Sequence, residues 1–189
     1  MRHMTDSHFH GLAMKGKGID PAESIMEART RGFAEAIEVG LHPLDLQKRK
    51  SLLSPVQSVY FTSGLAPAEA KDVSWQTEVK TLRVQALSGQ IVAIGELGLD
   101  WHWNYGSKDS QIELMSTQLE LAKEAHLPVI IHNREADADI LRILKRMNLP
   151  AAGIMHCFSS DYATAAACVD MGYIISFAGN VTYKNAGAI

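Results

Sequence analysis

The sequence predicts an α/β fold of the (β/α)8-barrel type, stopped after its seventh strand, and three observations carry that reading. Short apolar segments rich in β-branched residues alternate with stretches of helical spacing, the pattern of βαβ units and a parallel sheet. The alternation recurs about seven times with no Pro- or Ser-rich linker to divide it, so residues 1–189 read as one barrel domain. An eight-unit barrel takes about 250 residues, and a chain of 189 is one unit short of closure.

In chain order, strands are predicted at residues 4–10, 34–40, 58–64, 91–100, 127–135, 151–159 and 172–182, and helices at 21–32, 76–89, 110–126, 135–147 and 162–172. Pro21 suits a first helical turn with Asp20 as its cap, and Gly32, Gly89 and Gly172 fall where helix ends turn left-handed. Within 110–126, Ile112, Met115, Leu119 and Ala122 recur at helical intervals and mark a buried face.

Composition excludes several classes of function. With 47% hydrophobic and 21% charged residues the chain can bury a core, which rules out disorder and a stapled mini-protein. A net charge of -3 argues against binding nucleic acid through a general basic field, so any phosphate contact must be local. Two cysteines make no disulfide framework, no apolar run approaches a membrane span, and the N-terminus lacks an apolar leader core, so a soluble, cytoplasmic chain is expected.

The chemistry-bearing residues sit at strand ends. On the first strand Asp6, His8 and His10 alternate, so they share a face, with the two imidazoles ~7 Å apart at their backbones and able to converge on one metal ion. Two histidines alternating by chance on a half-exposed strand are the plain alternative. Glu96 follows the apolar run 91–94 between Gly95 and Gly98; a carboxylate at a buried strand end needs a cation, whether a metal or a barrel arginine. His132 and His156 each cap a further apolar strand at the same end. Parallel α/β folds gather these ends in one place, where imidazole and carboxylate suit zinc, manganese or iron, and five ligands with one central carboxylate suit two ions. Arg134 shares strand parity with His132, and its planar fork suits a phosphate or carboxylate.

Other residues read as structural or peripheral. Lys15 and Lys17 lie in a loop after the first strand and are expected to be solvated. Strand parity turns the Cys157 thiol away from His156 toward the helices, Cys168 reads as helix packing, and His126 reads as a helix-end residue. Trp101, His102 and Trp103 form loop surface near the site, either stacking on a base or sugar or anchoring the loop.

Together these segments resemble the TatD-like metal-dependent deoxyribonucleases, a family of amidohydrolase-like TIM barrels. The resemblance rests on residues 6–10 (DSHFH), 92–100 (VAIGELGLD), 127–136 (LPVIIHNREA), 155–160 (MHCFSS) and 173–186 (YIISFAGNVTYKNA). It implies two divalent metal ions, whether Zn, Mg, Mn or Fe: His8 and His10 on the first, His132 and His156 on the second, and Glu96 as the catalytic bridge, with Arg134 on a substrate phosphate. It also implies hydrolysis of a phosphodiester in DNA by a metal-bound hydroxide.

The chain departs from the family pattern in three places. Gly64-Leu65-Ala66-Pro67 lacks the histidine of the family's Gly-x-His-Pro, which occurs instead as Gly40-Leu41-His42-Pro43 after the second strand. Ser160 replaces a glycine. The family's eighth strand and its metal-binding aspartate are expected beyond Ile189. Two other readings stand beside the nuclease: hydrolysis of another bond, such as an aminoacyl-tRNA ester, and a truncated, non-catalytic product that only binds metal.

Overall fold

The computed structural model describes residues 4–184 and residue 186. Its elements run β1 (Met4–Phe9), α1 (Gly11–Gly16), α2 (Pro21–Thr30), β2 (Phe33–Glu38), α3 (Leu46–Leu52), β3 (Val59–Ser63), α4 (Trp75–Leu87), β4 (Ala93–Asp100), α5 (Lys108–Ala125), β5 (Val129–Arg134), α6 (Asp137–Met147), β6 (Gly153–Met155), α7 (Tyr162–Asp170) and β7 (Tyr173–Ile175). The seven strands pair in sequence order, all parallel, as a curled half-barrel with helices. Each helix carries the chain back across the sheet, the connection that parallel pairing requires. Asn185 of the last motif and the chain end at Ile189 lie outside the described residues.

Every predicted strand and helix forms, with local corrections. β6 and β7 are three residues each, and residues Gly179–Thr182, expected as strand, form a 3-10 turn. The segment after β1 is the short helix α1 rather than a loop, with Lys15 inside it and both Lys15 and Lys17 exposed. α3 was not predicted either, and its mixed Leu-Gln-Lys-Arg-Lys sequence explains why. Gly32, Gly89 and Gly172 follow α2, α4 and α7 at positive φ, and Asp20 caps α2 by accepting from the amides of Ala22 and Glu23.

The core has two faces. Ile94, Leu97, Leu99, Val129 and Ile131 pack outward against Leu82 of α4, Met115, Leu119 and Ala122 of α5, and Ile140, Ile143 and Leu144 of α6. Each such side chain contributes ~2 kcal/mol of transfer free energy. The opposite face holds the small cluster Val39, Ala93 and Ile130. Ile112 of the predicted α5 face is only partly buried, its place taken by Leu114, Gln111 and Gln118. Among the described residues no helix is long and apolar enough to cross a membrane.

Candidate metal centre

The strand ends bring His8, His10, Glu96, His132 and His156 together. Two irregularities in the sheet aim them. The β1–β2 register shifts between Asp6 and Phe9, around His8, and the β4–β5 register shifts between Ile94 and Leu97, around Glu96. Such bulges re-aim a side chain that strict alternation would place elsewhere. Gly98 lets β5 come close to β4 there: at φ 150°, a Cβ on it would overlap the backbone oxygen of His132. Asp6 stays out of the cluster, its Oδ1 accepting from the His8 amide at 3.1 Å.

Glu96, 6% exposed, is the hub. Its Oε2 lies 3.3 Å from His8 Nε2 and 3.4 Å from His10 Nε2, while its Oε1 lies 2.9 Å from His132 Nδ1 and 3.3 Å from His156 Nε2. Each carboxylate oxygen therefore faces its own pair of imidazoles. Burial works to raise the Glu96 pKa, but the contacts from His10, His132, His156 and His8 outweigh it and hold the carboxyl well below its ordinary range. The rings of His8 and His156 stack at 3.9 Å.

The outer ring nitrogens of two of the histidines have partners of their own. His10 Nδ1 donates to the Val39 carbonyl at 2.8 Å, so in the neutral ring Nε2 is bare and points at the hub. His132 lies between two carboxylates, its Nε2 3.1 Å from Asp100 Oδ2 and its Nδ1 2.9 Å from Glu96 Oε1. These are the orienting contacts that metal-binding histidines make. Burial opposes charge on His10 and His132, yet Glu96 raises both pKa values overall, whereas burial dominates at His8 and lowers it to about 4.

The cluster fits a divalent cation. Glu96 Oε2 and His156 Nε2 are buried with no aligned hydrogen-bond partner among the described residues, an arrangement that costs ~1–3 kcal/mol per group if nothing else satisfies it. The ligand atoms of His8, Glu96 and His156 lie within 4.8 Å of one another. Imidazole nitrogen with carboxylate oxygen is a donor set for zinc, manganese or iron. His42, Glu69 and Glu78 also pass that distance test, away from the cluster. There, His42 Nδ1 accepts from the Leu44 amide, which leaves the ring proton on Nε2, 2.9 Å from Glu78 Oε2. His42 thus belongs to the support of α4 and not to the strand-end cluster.

Arg134 lines a cavity of about 470 Å³ together with His132, His156 and Tyr183. Cys157 lines it too, which corrects the parity argument: β6 ends at Met155, and Cys157, at φ 46°, turns into the mouth instead of out to the helices. Burial and the Glu96 charge raise its pKa, which disfavours the thiolate. Cys168 is fully buried, as packing requires. Ser160 donates to Asp137 Oδ1 at 2.6 Å, so the residue that replaces the family's glycine has a local partner.

Sequence reasoning missed the groups that brace the cluster. Asp100 orients His132, and Gln111 of α5 clamps the Asp100 backbone, its Oε1 accepting from the amide at 2.9 Å and its Nε2 donating to the carbonyl at 3.1 Å. Gln118 grips Leu65 beyond β3 in the same two-way manner. Beneath His10, the fully buried Glu38 pairs with Arg49 and accepts from the Gly11 amide, while Arg49 also donates to the Thr62 carbonyl and reaches Asp45. Gly40 makes room for that guanidinium, which a Cβ would overlap.

A half-barrel of βα units with imidazoles converging on a carboxylate at the strand ends is the arrangement of a metal-dependent hydrolase. The chain belongs to the TatD-related DNase family, whose model matches residues 5–189. It is 35% identical to the metal-dependent hydrolase YabD of Bacillus subtilis over 96% of this chain and 71% of that protein. It is 33% identical to the 3'-5' ssDNA/RNA exonuclease TatD of Erwinia amylovora over 89% of this chain and 65% of that one. The crystal structure of the TatD homologue YjjV of Escherichia coli superposes with a TM-score of 0.75 at 30% identity, over 95% of this chain and 70% of that one.

Proposed function

We propose that this TatD-type hydrolase cleaves phosphodiester bonds in DNA at a binuclear centre, with His8 and His10 on one ion, His132 and His156 on the other, and Glu96 between them. The observation that carries the reading is the division of four imidazoles into two pairs, one on each oxygen of Glu96. Two divalent cations, when bound, would neutralise phosphoryl oxygens and acidify water. The chain's own residues do the rest. Val39 keeps the Nε2 lone pair of His10 turned inward, Asp100 holds the His132 ring in place, and Arg134, at the rim of the same cavity, holds the phosphate. A relative named as a ssDNA/RNA exonuclease supports nucleic acid as substrate.

Elemental analysis tests the centre. Glu96→Ala and His132→Ala should each lower bound metal, and unchanged stoichiometry in both rejects it. Hydrolysis of a DNA oligomer measured against that of an aminoacyl ester tests the substrate: preference for the ester would move the activity to another bond.

A further inference from the structure

The loop after β4 carries three aromatic side chains that the metal centre does not use, and they are not equivalent. Trp101 is partly buried and packs against the main core, with Lys108 4.7 Å from its ring centre, so it anchors the loop. Trp103 is 53% exposed. The Arg134 guanidinium lies 5.6 Å from its ring centre, and His102 meets it edge-on at 4.9 Å.

Despite its exposure, Trp103 is on a well-tied stretch of chain. The amides of His102 and Trp103 both donate to Asp100 Oδ1, at 3.0 and 2.9 Å, while Asp100 Oδ2 contacts His132. His102 Nδ1 is 2.7 Å from Glu135 Oε1, which fastens the loop to the residue after Arg134. One buried carboxylate therefore sets the position of an exposed indole relative to an imidazole of the metal centre, and the arginine that touches the indole also lines the cavity.

We propose that Trp103 is a stacking platform for an unpaired nucleobase of a single-stranded substrate, placed beside Arg134 so that the adjoining phosphate enters the cavity. The inference rests on the phosphodiester reading above and deepens it by assigning the side chain that receives a base. A base inside a duplex has both faces covered by its neighbours, whereas every unpaired base has a face to offer. The indole accepts any base, so the platform selects for strandedness and not for sequence.

Binding of a fluorescein-labelled oligothymidylate, and of the same backbone with abasic sites throughout, measured by anisotropy on wild type, Trp103→Ala and Trp103→Phe, tests the platform. Wild type should bind the base-bearing strand about 10- to 100-fold more tightly than the abasic one. Trp103→Ala should lose that margin, Trp103→Phe should recover most of it, and abasic binding should be the same in all three. Trp103→Ala binding the base-bearing strand as wild type does overturns the platform alone, as does an equal loss for both strands. Wild type binding neither strand overturns the phosphodiester reading, and the platform with it.

Discussion

β4 and β1 both deliver side chains to the metal centre, yet the sheet protects them very differently. All eight residues of β4 are buried, with β3 on one side, β5 on the other and α5 behind. The first three residues of β1 are exposed and the rest are half-buried, and among the described residues its ladder runs to β2 alone. Across the gap to β7 the two edges touch through the hydroxyls of Ser7 and Ser176 at 2.7 Å. Glu96 and His132 therefore sit on a braced pair of strands, while His8 and His10 lie at an edge. The precision of the centre is unequally distributed: Glu96 and His132 stand on two neighbouring strands, one of them wholly buried, whereas His8 and His10 stand at the half-buried end of β1, where His10 is held by its hydrogen bond to Val39.

The largest effect should come from removing the brace beneath the edge pair. Arg49→Met leaves Glu38 buried without its partner and should destabilise the fold by about 3–5 kcal/mol in urea unfolding. A loss under ~1 kcal/mol would mean that the β2 end is held by packing alone. On the braced side, Asp100→Ala should weaken metal affinity about 10- to 100-fold in a competition titration, since it frees the His132 ring. Unchanged affinity would show that β4 and β5 orient His132 without that carboxylate.

Acidity separates the two regions in the metal-free chain. His8, lowered to about 4, takes up its proton more readily when unfolded, so its contribution to stability is lost as pH falls from its ordinary value toward 4. His10 and His132 are raised; their contribution is complete below their ordinary value and is lost as pH rises through the folded one. The melting temperature should therefore fall on both sides of a maximum near about pH 6.5. Added divalent metal should stabilise the chain more at high pH, where it no longer competes with those protons. Thermal melts over a pH series, with and without metal, check both statements, and a metal effect independent of pH would contradict them. The smallest effect belongs to the edge contact: Ser176→Ala should cost about 0.5–1.5 kcal/mol and leave metal affinity on the β4 side unchanged.

Much of this was legible from pattern. Apolar runs located all seven strands, and histidines and a glutamate at their ends foretold the cluster because parallel strands point the same way. What pattern could not show was identity defined by a partner far along the chain. Arg49 sits in a Lys-Arg-Lys run outside every predicted element, and only the fold reveals that it lies beside Glu38 and Thr62. Gln111 and Gln118 carry no signal within their predicted helix, because nothing local announces a backbone waiting for an amide. Cys157 was misplaced for the opposite reason: strict alternation was extended past the point where β6 stops.

Those two glutamines make α5 a gauge of length as well as a packing surface. Seven residues apart, they stand about 10.5 Å from each other along the helix, and each closes on both polar groups of one residue, at the end of β3 and at the end of β4. One residue inserted between them would swing one amide about 100° around the helix and release its strand. The spacing of α5 is thus under a constraint that hydrophobicity does not impose: the helix can trade one apolar residue for another, but it cannot grow or shrink there without unseating Asp100, and with it both the loop of Trp103 and the ring of His132.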